Sequence, residues 1–130
     1  LVCVENNFDL TIAPGGSVET PASDYKLPVG GVVVETKVYF DSTGLRPSEI
    51  GAIELKMGNT ILQTSYNDSE FSNTIDYVTC KDNTYTYREQ ITNTSGSTQG
   101  FVLKLTNDSK STSTLAAKGK YVVICGVPLN

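Results

Sequence analysis

Hydrophobic and polar residues alternate along most of this chain, in short runs that stop at glycine, proline or asparagine. Successive side chains of a strand point to opposite faces, so this alternation predicts half-buried β-strands. Phe8, Leu10 and Ile12 form the first such set, ending at Pro14-Gly15-Gly16. Val18 to Leu27 is broken by Pro21 and followed by Pro28, so a strand there must be short or lie at a sheet edge. Gly30-Gly31 then opens Val32 to Phe40, the most β-branched stretch, which is expected to place Val34, Thr36, Val38 and Phe40 on one face. Asp41-Ser42-Thr43-Gly44 closes it.

The same reading continues downstream. Ile53, Leu55 and Met57 alternate with Glu54 and Lys56 up to Gly58-Asn59, and Thr60 to Thr64 follows, so a hairpin is predicted. Gly-Asn is a weaker signal than Asn-Gly for a type I′ turn. Asn67 to Ser72 reads as loop, with strands expected at Ile75 to Cys80 and Thr84 to Arg88 about Lys81-Asp82-Asn83. Thr92 to Gln99 is a longer polar turn, after which Phe101, Leu103 and Leu105 alternate again. Lys120 to Cys125 is apolar on both faces, which predicts a central strand. No stretch of ten residues carries a capped helical stripe. There is no repeat and no linker. The expectation is an all-β chain, an antiparallel β-sandwich, jelly-roll-like, with about eight strands. Residues 8–130 are read as one domain and residues 1–7 as its first strand or an N-terminal arm.

Composition narrows the chemistry. At 130 residues the chain is long enough for a true hydrophobic core. Its net charge of -4 argues against a partner held by nucleic-acid phosphates or anionic lipid. Histidine is absent, which removes the Ser/His and Cys/His nucleophiles and the commonest zinc ligand. No apolar run is long enough to span a membrane. The chain is therefore not expected to be an enzyme or to need a cofactor. Leu1 stands where an initiator Met would, and no signal peptide is visible, so a processed chain or an excised fragment is expected. Ser, Thr and Asn are abundant, and sequons at Asn67, Asn93 and Asn107 fall in predicted turns as candidate glycosylation sites. Together these features suggest an extracellular, cell-surface or virion-surface protein.

Several residues could carry function. Asp24, Asp41, Asp68, Glu70, Asp76, Asp82 and Asp108 lie in or beside loops and have the oxygen chemistry calcium requires. They lack EF-hand spacing, so solvated acids are the preferred reading and no metal is assigned. Glu35 and Glu54, as a carboxylate pair for glycoside hydrolysis, fall on outward strand faces and read better as solubilising charges. Tyr77, Tyr85 and Tyr87 are close enough to form a cross-strand patch; packing within a sheet is the plainer reading, stacking on glycans the functional one.

The three cysteines are more pointed, because an odd count leaves at least one unpaired or bonded outside the chain. Cys3–Cys125 is a feasible intrachain bond, with Cys80 then a buried thiol. Alternatively Leu1-Val2-Cys3-Val4 is an apolar arm covered by a neighbouring subunit, with Cys3 bonded to that neighbour's Cys125 or Cys80.

Gly100 to Asp108, then Gly119 and Tyr121-Val122-Val123-Ile124, loosely resemble the closing strands of P (Homo B) domains, β-sandwich modules that accompany subtilisin-like proteases. Val32 to Phe40, Ile50 to Leu55 and Gly58-Asn59-Thr60 resemble the strands before them, so the likeness spans about two-thirds of the chain. Phe101 and Tyr121 stand where that family tends to have Trp, and its His-Thr and Gly-Asp-Leu signatures are missing. The resemblance implies a sandwich fold and carries no functional residue. Three roles follow for comparison with the structure: a structural subunit of an extracellular assembly made of copies of itself, a carbohydrate-binding or adhesive module, and a P-domain-like accessory domain. The first is the leading expectation, with the ladder hydrogen bonds of the sandwich resisting extension.

Overall fold

The structure, a computed structural model, describes residues 1–40, 50–65, 91–107 and 113–127. Among the described residues, eight strands run in the order β1 (Val2–Ile12), β2 (Ser17–Glu19), β3 (Val32–Phe40), β4 (Ile50–Met57), β5 (Thr60–Ser65), β6 (Ile91–Thr92), β7 (Phe101–Asn107) and β8 (Leu115–Gly126). They form two four-stranded sheets, β1-β8-β3-β6 and β2-β7-β4-β5, with every pairing antiparallel. From one described strand to the next the chain changes sheet, except between β4 and β5, which is a jelly-roll arrangement. The expected β-sandwich is thus observed. The strands anticipated at 75–80 and 84–88 lie outside the described residues.

Alternation places the core between the sheets. Val4, Phe8 and Ile12 of β1 face Ile53, Leu55, Leu103 and Leu105 of the second sheet in one buried cluster. Each fully buried side chain of this size contributes roughly 1.5–3 kcal/mol. Phe8 and Phe40 meet edge to face, ring centres 5.8 Å apart. β8 lies between β1 and β3, and its outward-facing Val122 and Ile124 are buried as well as its inward-facing Val123 and Cys125. That is the central position its apolar faces predicted.

The face predicted for β3 is corrected by a bulge. The register shifts between Val33 and Glu35 against β8, so one extra residue is accommodated there. Val33, not Val34, then takes the core position, while Phe40 keeps its place. The predicted hairpin does turn at Gly58-Asn59, Met57 pairing with Thr60, but not through a type I′ turn, which needs positive φ at both central residues. Only Gly58 has it (φ 60°), as in a type II′ turn with glycine first.

Beyond β2, hydroxyls extend the pairing past Pro21. Thr20 Oγ1 accepts from the Leu103 amide at 3.0 Å and Ser23 Oγ from the Phe101 amide at 2.9 Å. The short edge strand expected before Leu27 is thus β2 followed by a side-chain-mediated continuation along β7.

Candidate functional site

A groove of about 440 Å³ opens at one end of the sandwich, between the β4–β5 turn and the segment from Thr92 to Gln99. Among the described residues it is lined by Met57, Gly58, Asn59, Thr60, Thr92, Asn93, Thr94, Ser95 and Gln99. Amides and hydroxyls dominate, and none of these side chains is charged.

Asn93 builds one wall. It is 1% exposed. Its Nδ2 donates to the carbonyls of Leu27 and Ser97, both at 3.0 Å. Its Oδ1 accepts from the Ser95 amide at 3.1 Å and the Ser95 hydroxyl at 2.7 Å. Its backbone exchanges hydrogen bonds with the Gly30-Gly31 turn. Gln99 Nε2 then donates to the hydroxyls of Ser95 and Ser97. Opposite it, Gly58 leaves space that a Cβ would take from Gln99 Oε1. Glycine is needed there for both reasons, positive φ and close approach.

These contacts change the reading of two sequons. Both hydrogens of the Asn93 amide are donated within the fold, so a glycan on it has no room in the folded domain. Asn107 behaves likewise: it is fully buried, and its Nδ2 donates to the carbonyls of Ile12 at 3.0 Å and Ser113 at 2.9 Å. Asn67 lies outside the described residues. So do Cys80, the Tyr77, Tyr85 and Tyr87 patch, and the acids Asp41, Asp68, Glu70, Asp76, Asp82 and Asp108. Asp24 is exposed beside a second cavity of about 170 Å³ with Asn6, Thr20 and Tyr121. No group of three or more metal-ligating side chains occurs among the described residues.

The cysteines also resolve differently from expectation. Cys125 is a free, fully buried thiol, and burial pushes its pKa up to about 12. Cys3 pairs with Ile124 in the ladder, while Cys125 pairs with Val2. One step of register puts Cys3 and Cys125 on opposite faces of the sheet, which excludes the Cys3–Cys125 bond. Cys3 is not free either. The arm reading gives way too: Val2, Cys3 and Val4 are the first rungs of β1, paired within the domain, and only Leu1 stands fully exposed.

Of the two outward carboxylates, Glu35 does face out but is 3% exposed. One oxygen lies 3.4 Å from Lys37 Nζ and the other, Oε2, has no hydrogen-bond partner. Glu19 is held below the usual carboxylate range by its hydrogen bond to Lys56, at 2.8 Å. Tyr121 spans the sandwich to the Phe101 carbonyl at 3.3 Å, and burial raises its pKa to about 12.

Compared with family profiles, curated proteins and solved structures, the chain finds no match. The residues that resemble P domains are β3, β4, the β4–β5 turn, β7 and β8. Alternation and glycine turns of a sandwich account for that likeness. The groove itself was missed in the sequence, where its two halves read only as separate turns.

Proposed function

We propose that the chain is a structural subunit of an extracellular assembly, such as a surface filament, pilus-like fibre or virion shell, built from copies of itself. The observation that carries this reading is β1. It is an eleven-residue strand at the outside of its sheet, with no described strand along its outer side. Edge strands expose N–H and C=O groups that invite a further strand, and monomeric proteins blunt them with charged side chains, lysine above all, with proline or with short length. β1 bears two acids, Glu5 and Asp9, but neither lysine nor proline, and it is among the longest described strands. A second copy adding there would extend the sheet through main-chain hydrogen bonds. The joint is noncovalent in this reading, since Cys125 is buried and Cys3 already has a partner. An exterior location is supported by the Ser-, Thr- and Asn-rich composition. No described helix is long and apolar enough to cross a membrane.

Sedimentation velocity and negative-stain microscopy over a concentration series test the proposal. Ordered multimers are expected, shifting toward monomer in Asn7→Glu. That substitution lies opposite Lys120 within the domain, so the fold tolerates it, while it completes an acidic row with Glu5 and Asp9 along the joining strand. A chain that stays monomeric at every concentration and ionic strength overturns the proposal, as does an assembly indifferent to Asn7→Glu.

A further inference from the structure

We infer that the groove between the β4–β5 turn and the Thr92–Gln99 segment is a binding site for a neutral saccharide. The inference rests on the groove alone and is independent of assembly through β1.

The argument starts from charge. The chain carries a net -4, yet no charged side chain lines the groove among the described residues. An ionic ligand would find no counter-charge there. Asn59, Thr60, Thr92 and Thr94 can each both donate and accept hydrogen bonds, and Gln99 adds its Oε1 as an acceptor, its Nε2 being held by Ser95 and Ser97. A sugar ring offers the same double capacity at every hydroxyl, held on a rigid ring of a size that suits the groove. The volume of about 440 Å³ falls within the range of small-molecule sites.

The wall is also set before a ligand arrives. Asn93 is buried with all four side-chain hydrogen-bond positions used, and it fixes Ser95 from both the amide and the hydroxyl. Ser95 and Ser97 in turn hold Gln99 Nε2 at 2.9 and 3.1 Å. Side chains already ordered lose less entropy on binding. Asn59, Thr60 and Thr94 line the groove and remain exposed to solvent. The site differs from the tyrosine patch considered in the sequence and shares no residue with it.

The test is an amide-resolved NMR titration of the full chain with glucose, galactose, mannose and N-acetylglucosamine, each at millimolar concentration, with glycerol as the polyol control. Saturable shifts are expected for at least one sugar, centred on Asn59, Thr60, Thr94, Ser95 and the Gln99 side-chain amide. Thr94→Arg places a long cationic chain in the groove from an exposed position, so the fold is kept while affinity falls by about tenfold or more. A second variant, Asn59→Leu, removes the opposite rim and is expected to weaken binding in the same way. Absence of saturable shifts with all four sugars overturns the inference. So do shifts centred elsewhere, shifts reproduced by glycerol, or affinity unchanged in both variants.

Discussion

Replacing Asn93 with alanine probes the contact on which this end of the sandwich depends. The substitution removes two hydrogen bonds donated to Leu27 and Ser97 and two accepted from Ser95, at a position 1% exposed. The loss is moderated because neither carbonyl is left bare. Leu27 O still accepts from the Gln99 amide at 3.0 Å, and Ser97 O from the Ser95 hydroxyl at 3.0 Å. At roughly 0.5–1.5 kcal/mol per bond, with the two at the exposed Ser95 counted low, the expected loss is about 3 kcal/mol. For a domain of this size that corresponds to a melting temperature lower by about 10 °C. Urea unfolding should show a reduced midpoint with an unchanged slope, since the surface exposed on unfolding is the same. Asn93→Asp sharpens the test. It keeps the acceptors for Ser95 but turns a carboxylate toward two carbonyls, so its loss at neutral pH should exceed that of alanine. Its folded pKa would lie above the unfolded value of about 3.9, so the folded domain takes up a proton first and stability recovers as pH falls through that window. A loss below about 0.5 kcal/mol for Asn93→Ala, or an Asp variant equal to wild type at neutral pH, would refute this reasoning.

Other expectations follow from single observations. Gly58→Ala should cost about 1–2 kcal/mol, read from thermal melts, because the turn needs positive φ and the new methyl meets Gln99 Oε1. Glu35→Leu should raise stability by about 1 kcal/mol in urea, because it removes a buried carboxylate whose Oε2 lacks a partner. Cys125 should resist iodoacetamide in the native domain at neutral pH and react once denatured, as peptide mass spectrometry would show. Cys125 and Tyr121 keep their protons in the fold up to about pH 12, against ordinary values of 9.0 and 10.0. Their contribution is complete below pH 9 and is lost as pH rises toward 12, so alkaline unfolding should begin in that window and be shallower in Cys125→Ala.

The sheet-forming stretches were legible because each half-buried strand shows its period in the sequence. The β4–β5 hairpin, β7 and the central placement of β8 all came from alternation, or from its absence where both faces are covered. The face of Val34 was misread because valine fills positions 32 to 34, so the inserted residue of the bulge leaves no break in hydrophobicity. Asn93 and Asn107 were read as glycan acceptors because an N-x-S triplet looks the same whether its amide meets solvent or a carbonyl. Only the approach of Leu27 to one and Ile12 to the other distinguishes the cases, and those partners lie far away in sequence. The groove was invisible for the same reason: neither of its turns carries chemistry until the jelly roll sets them face to face.

The pairing of β1 with β8 has a mechanical consequence. Val2 stands opposite Cys125 and Ile12 opposite Leu115, so the start of the first strand and the finish of the last emerge together at one end of the ladder. Tension applied between those two points would open the rungs one after another, as a zipper opens. It would not load them all in shear, because antiparallel hydrogen bonds lie across the strands and along such a pull. The sheet is therefore weakest along the line its own backbone would follow in a string of domains joined end to end. A durable fibre or shell made from this unit must carry its load sideways, from the flank of one sheet to the flank of the next.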